Sequence, residues 1–556
     1  MNKIILSFVV SGSLLASNYR LVHLSSDGVA LSSSNLAKSF SADAAFINPA
    51  NMAFLGDKPR LHTSINYYNI SGSRYKNNLK TVNGKPYLNA SDTHGKEFTF
   101  FLPTIAAVYP INDRHYVGLA GYSDFAAVYG WNGDYAKALI DTMDIRGGTL
   151  AISYAYKASS ELSFGASLKV NYAKVKYSLI KDNAKNPRYV PVDGRKPILT
   201  VYDDNGVSQN IYPSFAYSGS GKADTKYTLG YSLSATYRPD YFDNKLSFSL
   251  LYNSSHNNRF RGNFDFKMSK FAMHDFMYSL IPSSLENINP SDNKKMGELL
   301  GMAIGYASVI TETVNPITGK PQKSQDDTVH YSGPMATSML YPANVNLGIA
   351  YEHGKHEFMF NIGRTFWKKS KELSIDINVP NMPGKLQELA YKLGEACKQQ
   401  DLCKDGEQLN PIKVITEASK LAASLSPDER KQIQEYILAN FIKQSFDQGY
   451  KDTTLISLGY RYNYSDELSF MLGFATEDSP VRRQKISFLA KDSRMYMYSA
   501  GVEYRFDKQL TLSLSGAYQH YADIEINNVD NLLLYSSGKF SRQSNQIINL
   551  GINYEF

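Results

Sequence analysis

The chain of 556 residues contains 41 Tyr, 28 Phe and 37 Gly but only 2 Cys, and its mean hydropathy is −0.34. This composition suits alternating β-strands with aromatic residues at membrane interfaces, although a soluble β-rich enzyme has a similar composition. The formal net charge of +7 is modest over this length, so we expect no nucleic-acid partner.

The N-terminus has the three parts of a secretory signal. A short basic start, Met1–Lys3, precedes an apolar run, Ile4–Ala16, and a polar stretch follows from Ser17. The apolar run is shorter than the roughly 18 residues that a transmembrane helix needs. We therefore expect residues 1–16 to be a signal peptide that is cleaved after Ala16, and the mature protein to be exported.

Residues 17–57 precede the first alternating segment. They are small, polar or weakly apolar, and they have no stripe of residues that could face lipid. Their pattern is compatible with a flexible tail and equally with a plug that folds inside a barrel.

From residue 58 onward, many segments alternate apolar and polar residues. Leu162–Tyr172, Tyr227–Arg238 and Leu510–Ser515 each have one apolar and one polar face, and the chain ends on the alternating segment Ile548–Phe556. Tyr lies near the ends of these apolar stripes, as at membrane interfaces. Because only a closed sheet satisfies backbone groups in lipid without helices, residues 58–556 are predicted to form a transmembrane β-barrel.

Short polar turns separate pairs of alternating segments. The six turns are Ile111–Arg114, Lys157–Glu161, Pro239–Lys245, His353–His356, Ser465–Glu467 and Asp507–Gln509. Barrels of this kind keep short turns on the periplasmic side and long loops outside. Six such turns, with both barrel ends on the periplasmic side, predict 14 antiparallel strands.

Two outer loops have helical patterns. In the fourth loop, Phe276, Met277 and Leu280 belong to the apolar face of a short amphipathic helix, which either packs on a neighbouring loop or contacts a ligand. The fifth loop, 374–452, contains the helix N-terminus Ser426–Glu429. Cys397 and Cys403 lie in this loop, and in an exported chain we expect a disulfide between them rather than a metal site.

Several short motifs resemble the FadL family of outer-membrane transporters for long-chain fatty acids, which includes a TodX-like branch for aromatic hydrocarbons. Leu24–Gly28 and Asp43–Ala50 resemble the family's N-terminal hatch, Pro110–Asp113 its first periplasmic turn, and Asp478–Val481 the start of its sixth outer loop. The resemblance covers almost the whole chain. It implies an all-β fold, a 14-stranded antiparallel barrel with the hatch inside it. The helical extracellular loops are expected from the sequence patterns above, and the fifth loop is longer and more helical here than the family pattern.

The resemblance assigns residues 17–57 to the hatch, with Asn48, Pro49 and Ala50 as its motif. It also implies that a hydrophobic ligand leaves sideways through a kink in the third strand, residues 115–130. Gly118, Gly121 and Asp124 interrupt the alternation there and are the predicted kink. The alternative is that these glycines pack beside a Tyr of the next strand.

The carboxylate of such a ligand needs a cation or hydrogen-bond donors, because a bare buried charge is costly. Strand parity places Lys169, Lys369 and Lys371 on the lumen face, so these are the candidate partners, each with a solvated pore-lining lysine as the alternative. Lys174 and Lys176 continue the lipid-facing parity and are expected to meet lipopolysaccharide phosphates above the bilayer.

The expected function is passive uptake of long-chain fatty acids or related hydrophobic compounds across the outer membrane of a Gram-negative bacterium, by a monomer without cofactor or metal. The alternatives are a porin for polar solutes and uptake of aromatic hydrocarbons. None of the 10 His lies in a recognisable nucleophile or metal motif, so we expect no enzyme activity.

Overall fold

The computed structural model describes most of the predicted barrel and hatch. The described residues are 21, 24–78, 92–133, 136–137, 140–181, 199–202, 208–211, 217–269, 328–370, 372–388, 391–392, 420, 423–442, 444–447, 449–488, 491–528 and 536–556. The predicted signal peptide, Phe276, Met277, Leu280, Lys371, Cys397 and Cys403 lie outside these residues.

The hatch comes first in the chain and lies inside the barrel. It contains helix α1 (Ser26–Ala30), helix α2 (Ala44–Ile47) and the 3₁₀ turns Asn35–Ala37 and Pro49–Phe54. The Ser25 hydroxyl caps α1 by accepting a hydrogen bond from the Gly28 N–H at 3.1 Å. Nearly every residue from 24 to 55 is buried against the inner face of the barrel. The predicted limits of the hatch, 17–57, stay a prediction.

Fourteen antiparallel strands then form one closed barrel, several of them in two segments. The first seven are β1 (Arg60–Ile70), β2 (Phe98–Pro110), β3 (His115–Tyr122 and Ala126–Gly130), β4 (Thr142–Lys157), β5 (Leu162–Lys181), β6 (Tyr217–Thr225 and Thr228–Tyr237) and β7 (Leu246–Asn253 and His256–Ser269). The others are β8 (Thr328–Tyr341 and Asn344–His353), β9 (His356–Thr365 and Glu372–Ile377), β10 (Gln444–Asp447 and Thr453–Asn463), β11 (Leu468–Glu477), β12 (Met495–Arg505), β13 (Leu510–Tyr521 and Ile524–Asn528) and β14 (Ser536–Ser541 and Ser544–Glu555).

The barrel closes between its first and last strands. β1 pairs with β14 along its full length, from Arg60 opposite Glu555 to Ile70 opposite Asn545. A short connection joins two strands at each of the six predicted turn positions. The predicted strand number and turn positions are therefore confirmed.

The two faces of the strands match the predicted alternation. On β5 the lipid-facing Phe164 and Leu168 are 49% and 51% exposed, whereas Ser163 and Ser167 are buried against the lumen. The same division holds on the last strand, where Leu550 is exposed. No helix in the described part of the chain is long and apolar enough to cross a bilayer.

The outer end of the molecule is less regular. The segments Arg74–Asn77 and Thr93–His94 join the outer segments of β13 and β14 in a separate four-stranded sheet. Leu199–Tyr202 and Ser208–Ile211 form a hairpin. Helix α3 (Pro427–Ile442) begins at the predicted place in the fifth outer loop, where the Ser426 and Glu429 side chains bond each other's backbone N–H groups.

Candidate functional site: the lumen cavity and the break in β3

The Asn48-Pro49-Ala50 motif joins the hatch to the barrel wall. The Asn48 carboxamide accepts a hydrogen bond from the Ala50 N–H at 3.2 Å and donates one to the Leu36 carbonyl at 2.8 Å. The Ala50 N–H also donates to the Ser234 hydroxyl of β6 at 3.0 Å. The motif therefore orders its own turn and fixes that turn against β6.

The barrel wall approaches this turn so closely that it has no side chain there. A methyl group on Gly165 of β5 would lie 2.3 Å from the Ala50 nitrogen and 2.6 Å from the Pro49 carbonyl carbon. Six other lumen glycines would likewise bring a methyl group within 3.0 Å of hatch atoms: Gly118, Gly348, Gly459, Gly473, Gly501 and Gly551. The hatch therefore packs against a ring of seven glycines that extends around the barrel. We call this ring the seat of the hatch.

The opposite side of the hatch carries charge. Asp27 of α1 is 1% exposed, and its Oδ1 atom has no hydrogen-bond partner in the described structure. Burial raises the pKa of its carboxyl well above the usual range, the carboxylates of Glu503 and Asp43 raise it further, and Arg461 opposes this rise. Arg461 itself is paired with Glu503. The hatch therefore buries a carboxyl group whose pKa is raised in this position.

The break in β3 lies at Ser123–Phe125, between the two strand segments. Gly118 and Gly121 do not form it, because both are paired with β2 and with β4. Gly118 has a different role, since a methyl group there would lie 2.7 Å from the Met52 sulfur of the hatch. Of the three predicted kink residues, only Asp124 lies in the break.

Beyond the break, β3 separates from β2. Pairing between the two strands ends at Ile105 opposite Gly121, and the described segment Phe98–Thr104 of β2 has no ladder partner on this side. Farther out, the chain that precedes β2 meets the end of β3 again: the Lys96 N–H donates to the Gly130 carbonyl at 2.9 Å, and the Asn132 N–H donates to the His94 carbonyl at 3.1 Å. The unpaired stretch contains Pro103, a residue that suits an edge strand because it has no N–H. We call this opening, bounded by residues 98–104 and 123–130, the lateral window.

Hatch and wall residues meet at the break. The Asp124 carbonyl accepts a hydrogen bond from the Leu21 N–H at 2.9 Å, and the Asp124 carboxylate accepts one from the Thr149 hydroxyl at 3.0 Å. The ring of Phe46 stacks on Tyr122, the last residue before the break, at a centroid distance of 4.8 Å. The hatch therefore packs directly against the inner side of the lateral window.

A cavity lined by both the hatch and the barrel wall lies at this position. Its hatch side is mainly apolar and includes Leu21, Leu24, Leu36, Phe46 and Ile47, together with Ser33 and Asn35. Its wall side is mainly polar and includes Asp124, Lys169, Asn171, Asn253 and His256. A mainly apolar side with a few polar groups is typical of small-molecule sites. The arrangement suits an amphipathic ligand.

Lys169 lies where strand parity placed it. Its ammonium group donates a hydrogen bond to the Asn253 carboxamide oxygen at 2.8 Å, at the wall of the cavity. The parity argument is wrong for Lys369, because the first segment of β9 ends at Thr365 and Lys369 lies exposed in the 3₁₀ turn Trp367–Lys369. A parity count holds only within a continuous strand.

Sequence reasoning missed His256 and Tyr341, which also line the cavity. Their rings stack at a centroid distance of 4.8 Å, and each lies beside a two-residue interruption of its strand. The alternation of lumen-facing and lipid-facing residues does not continue across such an interruption. The face of these two residues could therefore not be inferred by counting from the other segment of the strand. The Asn171 carboxamide, in contrast, follows from the polar face of β5.

The sequence profile of one family matches residues 7–556, almost the entire chain. The family is described as outer membrane protein transport protein (OMPP1/FadL/TodX). The long-chain fatty acid transport protein of Escherichia coli K12 is 36% identical over 80 residues, 14% of this chain and 18% of that protein. Outer membrane protein P1 of Haemophilus influenzae is 26% identical over 123 residues, 20% of this chain and 27% of that protein. These alignments span about a fifth to a quarter of the curated relatives.

Solved structures show the same fold over nearly the full length. A FadL homologue of Pseudomonas aeruginosa superposes with a TM-score of 0.63 and 16% identity, covering 97% of this chain and 100% of that one. The toluene transporter TodX of Pseudomonas putida gives a TM-score of 0.53 and 12% identity, covering 97% and 99%. At these identities the likeness concerns the fold.

Proposed function

Because the chain belongs to the OMPP1/FadL/TodX family of outer-membrane transport proteins, we propose that it takes up long-chain fatty acids by passive lateral diffusion. The protein resides in the outer membrane of a Gram-negative bacterium. In the proposed route, the ligand enters from the outer loops, binds in the lumen cavity and leaves through the lateral window into the membrane.

The observation that carries this proposal is the position of the cavity directly behind the lateral window. Tyr122 and Asp124 belong to both, since they line the cavity and flank the break in β3. Phe100, Leu102 and Val128 are buried on the lumen side of the window and belong to one apolar cluster. A ligand in the cavity would therefore reach the membrane past apolar side chains.

Energetics favour the sideways route over an axial one for a hydrophobic ligand. Each CH₂ group gains about 0.8 kcal/mol when it leaves water, so an acyl chain is stabilised by every step that keeps it among apolar groups. The axial route is occupied by the hatch, whose residues 24–55 are buried in the lumen. A polar solute would gain nothing from an apolar window, which weighs against a porin for such solutes.

The cation in the cavity favours an acid over an uncharged hydrocarbon. Lys169 presents its ammonium group beside the Asn253 carboxamide, and the two together suit a carboxylate. Asp124 adds a negative charge to the same cavity, and its carboxylate accepts a hydrogen bond from the Thr149 hydroxyl. We propose that the ligand carboxylate binds at Lys169 and that the acyl chain lies along Phe46 and Ile47.

Binding of oleate and of oleyl alcohol to the purified protein in detergent tests this assignment. The variant Lys169→Gln should bind oleate roughly 10- to 150-fold more weakly, because it loses a charge-assisted hydrogen bond of about 1.5–3 kcal/mol. Its affinity for oleyl alcohol, which has no carboxylate, should change less than twofold. Lys174→Gln, on the same strand but outside the barrel, is the matched control and should bind both ligands as the wild type does.

Two results would contradict the proposal. Equal affinities of the wild type and Lys169→Gln for oleate would remove the carboxylate assignment. Failure of the wild type to bind either ligand, together with swelling of protein-containing liposomes in polar solutes such as maltose, would favour a porin.

The proposal includes a monomer that acts without enzyme activity, cofactor or metal. The family description names transport, and the lipid-facing residues of the strands form a continuous apolar surface around the barrel. We also propose that the outer part of this surface contacts lipopolysaccharide.

A further inference from the structure

The strands β4–β7 extend outward past the apolar belt of the barrel. On this side the belt includes the exposed Leu150, Leu168 and Leu229. It ends at Tyr172 of β5 and Tyr227 of the β6 break, whose rings lie 6.2 Å apart. Tyr at this position is typical of the boundary between hydrocarbon and headgroups. The next outward-facing residues therefore lie at the level of the lipid headgroups.

These next residues are mainly cations. Lys174 follows Tyr172 by two positions, about 7 Å along the strand, and its ammonium lies 5.4 Å from the centre of the Tyr172 ring. With Lys174 included, five exposed cations on the same outer face come from four neighbouring strands: Arg146, Lys174, Lys176, Lys222 and Arg261. We call these five residues the basic belt.

The register of the strands places like charges directly opposite each other. Lys176 is opposite Lys222, and Lys174 is opposite Arg146. Like charges at such positions destabilise a sheet. Asp144 bonds Arg146 at 2.8 Å, and Asp224 lies opposite Lys174 and Arg261, so two acids face five cations. The basic belt therefore has an excess of positive charge that an anion would stabilise.

We propose that the basic belt binds the phosphate groups of lipopolysaccharide in the outer leaflet. The acyl chains of this lipid would lie on the apolar belt below Tyr172 and Tyr227, and its phosphates would lie within reach of Lys174, Lys176 and Lys222. This inference locates the lipopolysaccharide contact that was proposed above and rests on it. The height of the belt, directly above the apolar surface, favours a lipid headgroup over a free anion.

A triple variant, Lys174→Gln/Lys176→Gln/Lys222→Gln, tests the assignment. Purified protein in detergent is titrated with lipopolysaccharide that carries a diphosphorylated lipid A, and bound lipid is counted by native mass spectrometry. We expect the affinity to fall at least tenfold in the variant and the salt dependence of binding to weaken. The matched control, Lys245→Gln/Lys355→Gln/Lys508→Gln, removes three exposed lysines from periplasmic turns and should bind as the wild type does.

Further measurements distinguish the ways in which this proposal could be wrong. Dephosphorylated lipid should bind the wild type and the triple variant equally weakly, and inorganic phosphate at the same phosphate concentration should not displace the lipid. If the wild type does not bind lipopolysaccharide, the proposed contact itself is wrong. If the wild type and the triple variant bind lipopolysaccharide equally well, the assignment to the basic belt is wrong. It is also wrong if the periplasmic control loses as much affinity as the triple variant. Displacement by inorganic phosphate would indicate a free-anion site and overturn the lipid assignment. Oleate binding should be unchanged in the triple variant.

Discussion

The two segments of β3 belong to one strand but have opposite roles. The inner segment, His115–Tyr122, is paired on both sides and packs through Gly118 against Met52 of the hatch. The outer segment, Ala126–Gly130, is paired along its length with β4, whereas residues 98–104 of β2 pair with β1 and have no ladder partner on the side facing β3. The inner half thus seals the barrel around the hatch, and the outer half leaves the wall open.

On the proposed lateral route, this difference would let a plugged barrel release a ligand. A hydrophobic molecule would leave through the lateral window while the hatch stays in its seat, because the window begins where the seat ends, at Tyr122. Seat and window should therefore respond to different substitutions. Changes in the seat should alter ion flow, and changes in the window should alter uptake of hydrophobic ligands.

The largest expected effect is on the seat at Gly165. In Gly165→Ala, the new methyl group would meet the Ala50 nitrogen at 2.3 Å, so the hatch turn has to move away. Overpacking of this kind costs about 1–3 kcal/mol, which shifts the equilibrium between the seated and the displaced hatch roughly 5- to 150-fold. Conductance in planar bilayers should rise accordingly.

Gly516→Ala is the control for that change. Gly516 lies on β13, and a methyl group there would be 3.7 Å from its nearest neighbour, the Ile547 carbonyl oxygen. Its conductance should equal that of the wild type. A Gly165→Ala barrel that conducts no more than this control would mean that the hatch does not set the conductance.

A smaller effect should come from pH. Because burial raises the pKa of Asp27 in the seated hatch, seating is favoured at low pH and loses stability as the pH rises through that raised pKa. Conductance of the wild type should therefore increase with pH above the ordinary range of an aspartate. One proton limits the change to about tenfold per pH unit.

Asp27→Asn keeps the shape of the side chain and removes its titration. Its conductance should be low and should vary less with pH than that of the wild type. The remaining slope would come from Asp43, whose carboxyl is also buried and has a raised pKa. If the conductance of the wild type falls as the pH rises, the pH dependence of hatch seating that we assign to Asp27 is wrong.

The periplasmic half of the barrel could be predicted from the sequence because its strands alternate lipid-facing and lumen-facing residues without interruption. Alternation at period two and six polar turns define the strands, and each strand then pairs with its neighbour in the chain. The family resemblance supplied what alternation cannot: the folding of residues 24–55 inside the lumen.

The site was predicted less well, for a physical reason. Gly118 suggested a bend because glycine weakens a strand. The structure gives another reason for a glycine at this position: Ala45 and Met52, more than sixty positions away in the chain, leave no room for a side chain. Lys369 suggested a lumen cation because parity was counted past the end of a strand at Thr365. Pro103 was a usable signal for the window, since proline in a barrel strand points to an unpaired edge.

A cross-link over the lateral window tests the central claim most directly. Continuing the ladder from Ile105 and Gly121 would place Pro103 opposite Ser123, so cysteines at 103 and 123 can be joined by a cleavable thiol reagent. Cysteines at 105 and 121, which are already paired, provide the control, and treated wild type corrects for Cys397 and Cys403. We predict that joining 103 to 123 abolishes most labelled oleate uptake by cells, that reductant restores it, and that joining 105 to 121 changes it less than twofold. Uptake at the uncrosslinked rate through the joined window would contradict lateral exit and favour passage past a displaced hatch.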